Sequence, residues 1–170
     1  MTVLETLGYE YPDETWWSRV LAAITSSRPG AWFFQRNAHW IDRRVLRLTD
    51  GRHSLSSLLV RKPVLMVTTK GRRSGAPRTV PLLGIPFDHA VALIGTNFGQ
   101  SPTPGWVHNL RAEPRARLEY RGRSVEVTSR TATPDEFELI FPLAVEHYAG
   151  YARYRARLDR HIEVFVLEKV

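Results

Sequence analysis

Two groups of side chains are spaced for chemistry. The first is a cluster of cations. Arg72, Arg73 and Arg78 surround Gly71, Ser74 and Gly75 within Lys70-Gly71-Arg72-Arg73-Ser74-Gly75-Ala76-Pro77-Arg78. Glycine lets backbone N–H groups approach an anion closely. Arginine grips phosphate or carboxylate through two parallel hydrogen bonds, and Ser74 adds a hydroxyl donor. From Gly51 to Phe87 there is no Asp or Glu, so these cations call for an external anion or bulk water. Anion binding is the reading the residues favour over a solvated hairpin tip. The stretch is not a P-loop, because Gly-x4-Gly-Lys is missing and no helix is expected after the turn, and it is not a dinucleotide fingerprint.

The second group is Tyr148, Tyr151 and Tyr154, whose spacing puts them along one side of a helix or helical turn. A phenol with a pKa of about 10 can donate a hydrogen bond to a developing oxyanion. The alternative is an amphipathic stripe that packs over the fold, and on spacing alone that alternative is the stronger. No other catalytic set stands out. The histidines at 39, 53, 89, 108, 147 and 161 are scattered without a His-Glu-x-x-His, so no metal site is expected. The serine-hydrolase elbow is absent. There is no Cys, which excludes disulfides, thiol catalysis and thiolate metal sites.

These residues need elements to position them. Apolar, β-branched runs predict strands at Val64–Thr69, Thr79–Phe87 and Ala90–Gly95, the last two joined near Asp88-His89. Residues 96–104 form a polar loop, and Gly105–Arg111 a short helix stopped before Pro114. Arg115–Tyr120 and Arg123–Arg130 make a hairpin across Arg121-Gly122. Thr133 caps a helix through a Thr-x-x-Glu box and Pro134 suits its first position, so the helix runs toward His147 with a bend at Pro142. Tyr148–Leu158 is a further helix or turn, and Ile162–Glu168 a closing strand. Short connections favour antiparallel pairing. Several such strands in about a hundred residues are best closed into a small barrel. The expected fold is α+β: an antiparallel barrel at residues 61–170 with a helical extension at 1–60.

The extension carries helices over about 14–26 and 31–48, rich in Trp16, Trp17, Trp32, Phe33, Phe34 and Trp40 among arginines. Packing on the barrel or on a second copy is the favoured reading, and a membrane interface the alternative. The start lacks a secretory signal pattern and no apolar run is long enough to span a bilayer. A cytoplasmic location is expected, with a peripheral place at the inner face of the membrane as the alternative. The net charge of +7 points to an anionic partner. Nucleic acid is disfavoured, because the aromatics that could stack on bases are remote from Arg72 and Arg73.

The segment from Thr68 to Leu82 resembles the signature of the deazaflavin-dependent nitroreductase family, split-β-barrel oxidoreductases that use coenzyme F420. The resemblance continues through Gly95-Thr96-Asn97-Phe98-Gly99-Gln100, through Pro104-Gly105-Trp106-Val107-His108-Asn109-Leu110-Arg111-Ala112-Glu113-Pro114, and to the tyrosine-bearing segment near the C-terminus. It implies a split barrel and hydride transfer from the reduced coenzyme to a quinone, enone or nitro compound. Arg72, Arg73, Ser74 and Arg78 would hold the coenzyme's phosphate and tail carboxylates. Thr79, Val80, Pro81, Leu82, Gly95, Thr96 and Asn97 would line its ring, with Trp106 and Asn109 as another wall. The tyrosines would face the substrate, Tyr151 first, then Tyr154, then Tyr148. Some members carry Ser-Lys where this chain has Thr96-Asn97, which keeps the hydroxyl, loses the charge and shifts tail binding toward Lys70 or Lys62. F420 is the expected cofactor, with FMN the alternative found in related split barrels. Other readings are a non-catalytic binder of F420 or another anion, and an FMN-dependent reductase. The oligomeric state is not readable from the residues, though barrels of this architecture often pair and a homodimer is one option.

Overall fold

The structure, a computed structural model, describes residues 2–9 and 64–170. The helices expected over 14–26 and 31–48, and with them most of the N-terminal extension, lie outside the described residues.

Seven strands form one sheet: β1 (Val64–Lys70), β2 (Pro77–Leu83), β3 (Ile85–Phe87), β4 (Ala90–Ile94), β5 (Arg115–Tyr120), β6 (Arg123–Thr131) and β7 (Val164–Lys169), in the order β2-β1-β5-β6-β7-β4-β3. Every pairing is antiparallel. The run expected as one strand, Thr79–Phe87, is two. They are the two edges of the sheet, and only Gly84 separates them along the chain. Edges one residue apart force the sheet to curl into a near-closed cylinder. Gly84 is required at that corner, because a Cβ there would lie 2.5 Å from Leu65 Cδ1 and 2.9 Å from Val91 Cγ1.

Alternation decides which side chains fill the cylinder. Leu65 and Val67 of β1, Leu118 of β5 and Val127 of β6 point inward and are fully buried. Strand β4 is buried at all five residues, because helices cover its outer face as well. Those helices are α3 (Pro134–His147) and α4 (Gly150–Arg155), and they pack Ile140, Phe141 and Ala144 against Ile85, Ala92, Ile94, Val164 and Val166. Helix α2 (Gly105–Ala112) sends Trp106, Val107 and Leu110 into the inner cluster. The α3 capping box forms as the sequence predicts, with Thr133 Oγ1 accepting from Glu136 N at 3.2 Å and Glu136 accepting from Thr133 N at 2.8 Å. Pro142 lies within this helix.

Residues 2–9, assigned by sequence to the extension, form a short helix, α1 (Val3–Leu7), with its own capping box at Thr2 and Glu5 and a left-handed Gly8 at its end. Val3 and Leu7 are buried among the barrel's inner residues. Tyr9 donates to the Gly84 carbonyl at 2.9 Å, so this segment braces the corner where the two edges meet. Among the described residues no helix is long and apolar enough to cross a membrane.

Candidate functional site

The basic turn is built by hydrogen bonds beneath it. Gly71 N donates to Ala76 O at 2.9 Å and Gly75 N to Gly71 O at 2.7 Å. Gly75 has φ +67°, a left-handed conformation that glycine adopts without strain. Ser74 Oγ accepts from Ala76 N at 3.3 Å. From below, Asn109 of α2 accepts the Arg72 amide at 3.1 Å and donates to Thr69 Oγ1 at 3.0 Å. Thr69, 2 % exposed, turns its hydroxyl toward the Arg78 carbonyl. The amides of Arg73 and Ser74 have no acceptor among the described residues, and Arg72, Arg73 and Arg78 make no ion pair there. The Arg78 stem runs beside Gly71, with Cγ 3.3 Å from where a Cβ would stand. The turn therefore presents free N–H groups and three exposed, uncompensated guanidinium groups in one place, as an anion site requires.

Strand β2 leads away from this turn as an edge with no further strand beside it among the described residues. Thr79 pairs with Thr68, Pro77 with Lys70 and Pro81 with Met66. In an antiparallel ladder alternate residues point their N–H toward or away from the partner. Proline has no N–H, so Pro77 and Pro81 sit without loss at outward positions. Thr79, between them with the same parity, turns its N–H and C=O to the open edge. The close Thr68–Thr79 hydroxyl contact of 2.8 Å fits a non-hydrogen-bonded pair. Val80 and Leu82 face the other way and pack on the inner core. Of the four residues expected to line the ring, Thr79 and Pro81 thus occupy one face and Val80 and Leu82 the opposite one.

The second expected lining, Gly95 to Asn97, starts the loop after β4. A Cβ on Gly95 would lie 2.9 Å from Val107 Cγ2 and 3.2 Å from Glu163 O, so the backbones touch here. Gly95 N donates to Glu163 O at 2.8 Å. Thr96 is buried. Asn97, Phe98 and Gly99 then take φ of +48°, +56° and +76°, and Asn97 Nδ2 donates to Pro102 O at 2.9 Å. Arg160 holds this loop from outside. Its guanidinium donates to the carbonyls of Gly95 and Ser101 at 2.9 Å each and of His161 at 3.1 Å. Glu163, 8 % exposed, takes a two-pronged pair from Arg111 of α2, one prong at 2.6 Å. Helix α2 therefore braces the basic turn through Asn109 and the loop through Arg111.

The other expected residues sit deeper. Trp106 is 6 % exposed and its indole packs edge-on against Phe165, ring centroids 5.9 Å apart, inside the barrel. Asn109 has its amide engaged with Arg72 and Thr69. The three tyrosines do come together. Their rings contact one another at 5.8, 6.1 and 6.2 Å, and the hydroxyls of Tyr148 and Tyr154 lie 3.2 Å apart. All three are buried in the layer between the helices and the sheet, which is the packing alternative raised from spacing. Burial, then Tyr148, pushes the Tyr154 phenol well above its ordinary value, so it stays protonated. Tyr154 borders the 97–99 loop, within 3.2 Å of the place a Gly99 Cβ would occupy, whereas Tyr151 packs on Phe141. Gly150 admits the Tyr148 ring, since a Cβ there would come within 2.1 Å of it.

The profile of the F420H(2)-dependent quinone reductase family matches residues 39–169. The chain belongs to this family. It is 28% identical over 148 residues to an F420H(2)-dependent quinone reductase of Mycobacterium tuberculosis, a match covering 78% of this chain and 97% of that one. Among solved structures, an F420-H2 dependent reductase superposes with a TM-score of 0.58 at 33% identity, covering 62% of this chain and 94% of that chain. A domain-swapped dimer superposes with a TM-score of 0.60 at 31% identity, covering 82% and 99%. As a member of the F420H(2)-dependent quinone reductases the protein is a split-barrel oxidoreductase whose cosubstrate is reduced coenzyme F420. Sequence reasoning passed over Thr69, Arg111, Arg160 and Glu163. Each bonds to a partner at least forty residues away, and no local motif marks that.

Proposed function

We propose that the protein transfers a hydride from reduced F420 to a quinone, with the basic turn holding the tail and the loop after β4 bounding the ring. The observation that carries this reading is the set of three guanidinium groups and two amides left without a partner among the described residues, on a turn braced by Asn109. Reduced F420 supplies the hydride. The chain's own residues bind and orient, which is where most of a cofactor enzyme's contribution lies. Arg72, Arg73, Ser74 and Arg78 take the phosphate and tail carboxylates. Thr79 offers edge N–H and C=O to the polar rim of the ring. Tyr154, kept neutral by burial and in hydroxyl contact with Tyr148, is the tyrosine whose ring borders the 97–99 loop, and so is favoured over Tyr151 as hydrogen-bond donor to the substrate oxygen.

A homodimer is supported by the domain-swapped dimer among its structural neighbours. A cytoplasmic site of action suits a reaction whose substrate and cosubstrate are both small molecules.

The test is oxidation of reduced F420 followed spectroscopically with menadione, alongside equilibrium titrations with F420 and FMN. Turnover with menadione and tighter binding of F420 than of FMN support the reading. Binding without turnover across quinones, enones and nitroaromatics would make the protein a carrier of the coenzyme.

A further inference from the structure

Phe98 is out of place by two independent criteria. It is 46 % exposed, one of three large apolar side chains left in solvent among the described residues. It also holds φ +56°, ψ +26°, a left-handed conformation that glycine and asparagine tolerate and a bulky aromatic residue rarely adopts. Neither solubility nor backbone preference explains a phenylalanine here. Such strain persists only where surrounding structure enforces it. Arg160 does so by clamping the carbonyls of Gly95 and Ser101 on either side of the strained residues.

The clamp puts the Phe98 ring edge-on to Tyr154, centroids 6.2 Å apart. Beside it stands Arg157, half-buried, with Cδ 3.3 Å from the position a Gly99 Cβ would fill. Its main chain follows Tyr154, donating to the Tyr154 carbonyl at 3.2 Å. Among the described residues its guanidinium makes no ion pair, and its charge slightly offsets the upward push of burial on the Tyr154 phenol. An exposed flat apolar ring, a buried phenol and an uncompensated cation thus share one loop rim.

We propose that Phe98 and Arg157 form the acceptor platform of this reductase, Phe98 stacking on a cyclic conjugated ketone such as a quinone and Arg157 facing its oxygen. This rests on the quinone-reductase reading above and adds the residues that select the acceptor. Hydride addition moves an electron pair onto the quinone, oxidises the coenzyme and leaves a hydroquinone monoanion, with charge on one oxygen. The coenzyme releases one proton to solvent and the oxyanion takes up one, so no further reactant is needed. Arg157 stabilises the oxyanion as it forms. Phe98 favours flat ring systems over acyclic enones, because stacking scales with the face presented.

The test uses Phe98→Gly and Arg157→Gln in the full chain. Glycine suits the backbone better than phenylalanine, so Phe98→Gly should keep or raise the Tm. It should raise KM for menadione at least tenfold, alter an acyclic enone little, and leave KM for reduced F420 within twofold. Phe98→Tyr should restore menadione KM. Arg157→Gln should lower kcat with menadione about tenfold. Unchanged menadione kinetics in both variants would overturn the platform. So would a rise confined to the coenzyme's KM, which would put Phe98 against F420, or a change of oligomeric state with kinetics intact, which would make it a self-association contact. No quinone turnover by the unaltered protein would overturn the quinone-reductase reading as well. Normal turnover with indifferent variants overturns the platform alone.

Discussion

Asn109 accepts the backbone amide of Arg72 at 3.1 Å from a helix thirty-seven residues further along the chain. The same side chain donates to the buried Thr69 hydroxyl at 3.0 Å. The basic turn is thus fixed by a side chain from another element of the fold. Removing Asn109 leaves Thr69 with a buried hydroxyl short of one partner, a loss of about 1–3 kcal/mol. Asn109→Ala should lower the denaturant midpoint accordingly and weaken F420 binding about tenfold. An unaltered coenzyme Kd alongside lost stability would show that the turn keeps its shape without this brace.

The arginines themselves should act through charge. Arg72→Ala combined with Arg78→Ala removes two charge-assisted contacts of about 1.5–3 kcal/mol each at most. Solvent screening reduces that for exposed groups. Coenzyme affinity should fall about 10–100-fold at low salt, and the difference from the unaltered protein should shrink as ionic strength rises. Calorimetric titration at two salt concentrations checks both points. Equal affinities at low salt would place the anion site elsewhere.

Arg160 offers a different signature. Arg160→Ala deprives the Gly95 and Ser101 carbonyls of their donor, and the positive-φ run between them is then free to relax. KM for reduced F420 and for menadione should both rise, by about tenfold for a lost charged hydrogen bond. Added guanidinium ion in the millimolar range should restore part of the activity, because it can refill the vacated position. Arg160→Lys should recover less than the small ion does, as one ammonium cannot span carbonyls set for a planar fork. Failure of rescue, with Tm lowered and KM unmoved, would reduce Arg160 to a purely structural contact.

The tyrosines predict a pH behaviour. Burial raises both Tyr9 and Tyr154 above the ordinary phenol value of about 10. A raised acid is stabilised in its neutral form by folding. Its contribution is complete below pH of about 10 and is lost as pH climbs beyond it. A spectrophotometric titration should leave at least two of the six tyrosines protonated until alkaline unfolding. Activity should show no loss from Tyr154 ionisation below that point. Reversible ionisation of all six in one step near the ordinary value would contradict the buried pair.

Much of this architecture could be read from the chain, and the exceptions share a cause. The hairpin across Arg121-Gly122 was legible because two alternating runs meet at a glycine that suits a tight turn, and both turn residues adopt left-handed backbone, at φ +49° and +79°. Thr133 and Glu136 announced their helix by a local pairing rule. Thr2 and Glu5 obey the same rule, but nothing local says that Val3 and Leu7 enter a barrel built from residues after 64. Gly84 lies inside an unbroken apolar run, and only the meeting of two distant edges turns it into a corner. The tyrosine spacing was readable; the helices and strands that bury the rings were not. Arg160 reaches carbonyls about sixty residues away, beyond any window of periodicity. Asn109 was recognised by resemblance as part of the site, but its bond to the Arg72 amide follows from the fold alone.

Gly84 has a consequence for how this protein can change. It alone links the two margins of the sheet, so a residue inserted there has no slack loop to absorb it. The side chains of β3 would each rotate to the opposite face, sending Ile85 out of its packed layer and Pro86 into it. Insertions belong instead at tips such as Arg121-Gly122, and the join beside Tyr9 should tolerate neither lengthening nor shortening.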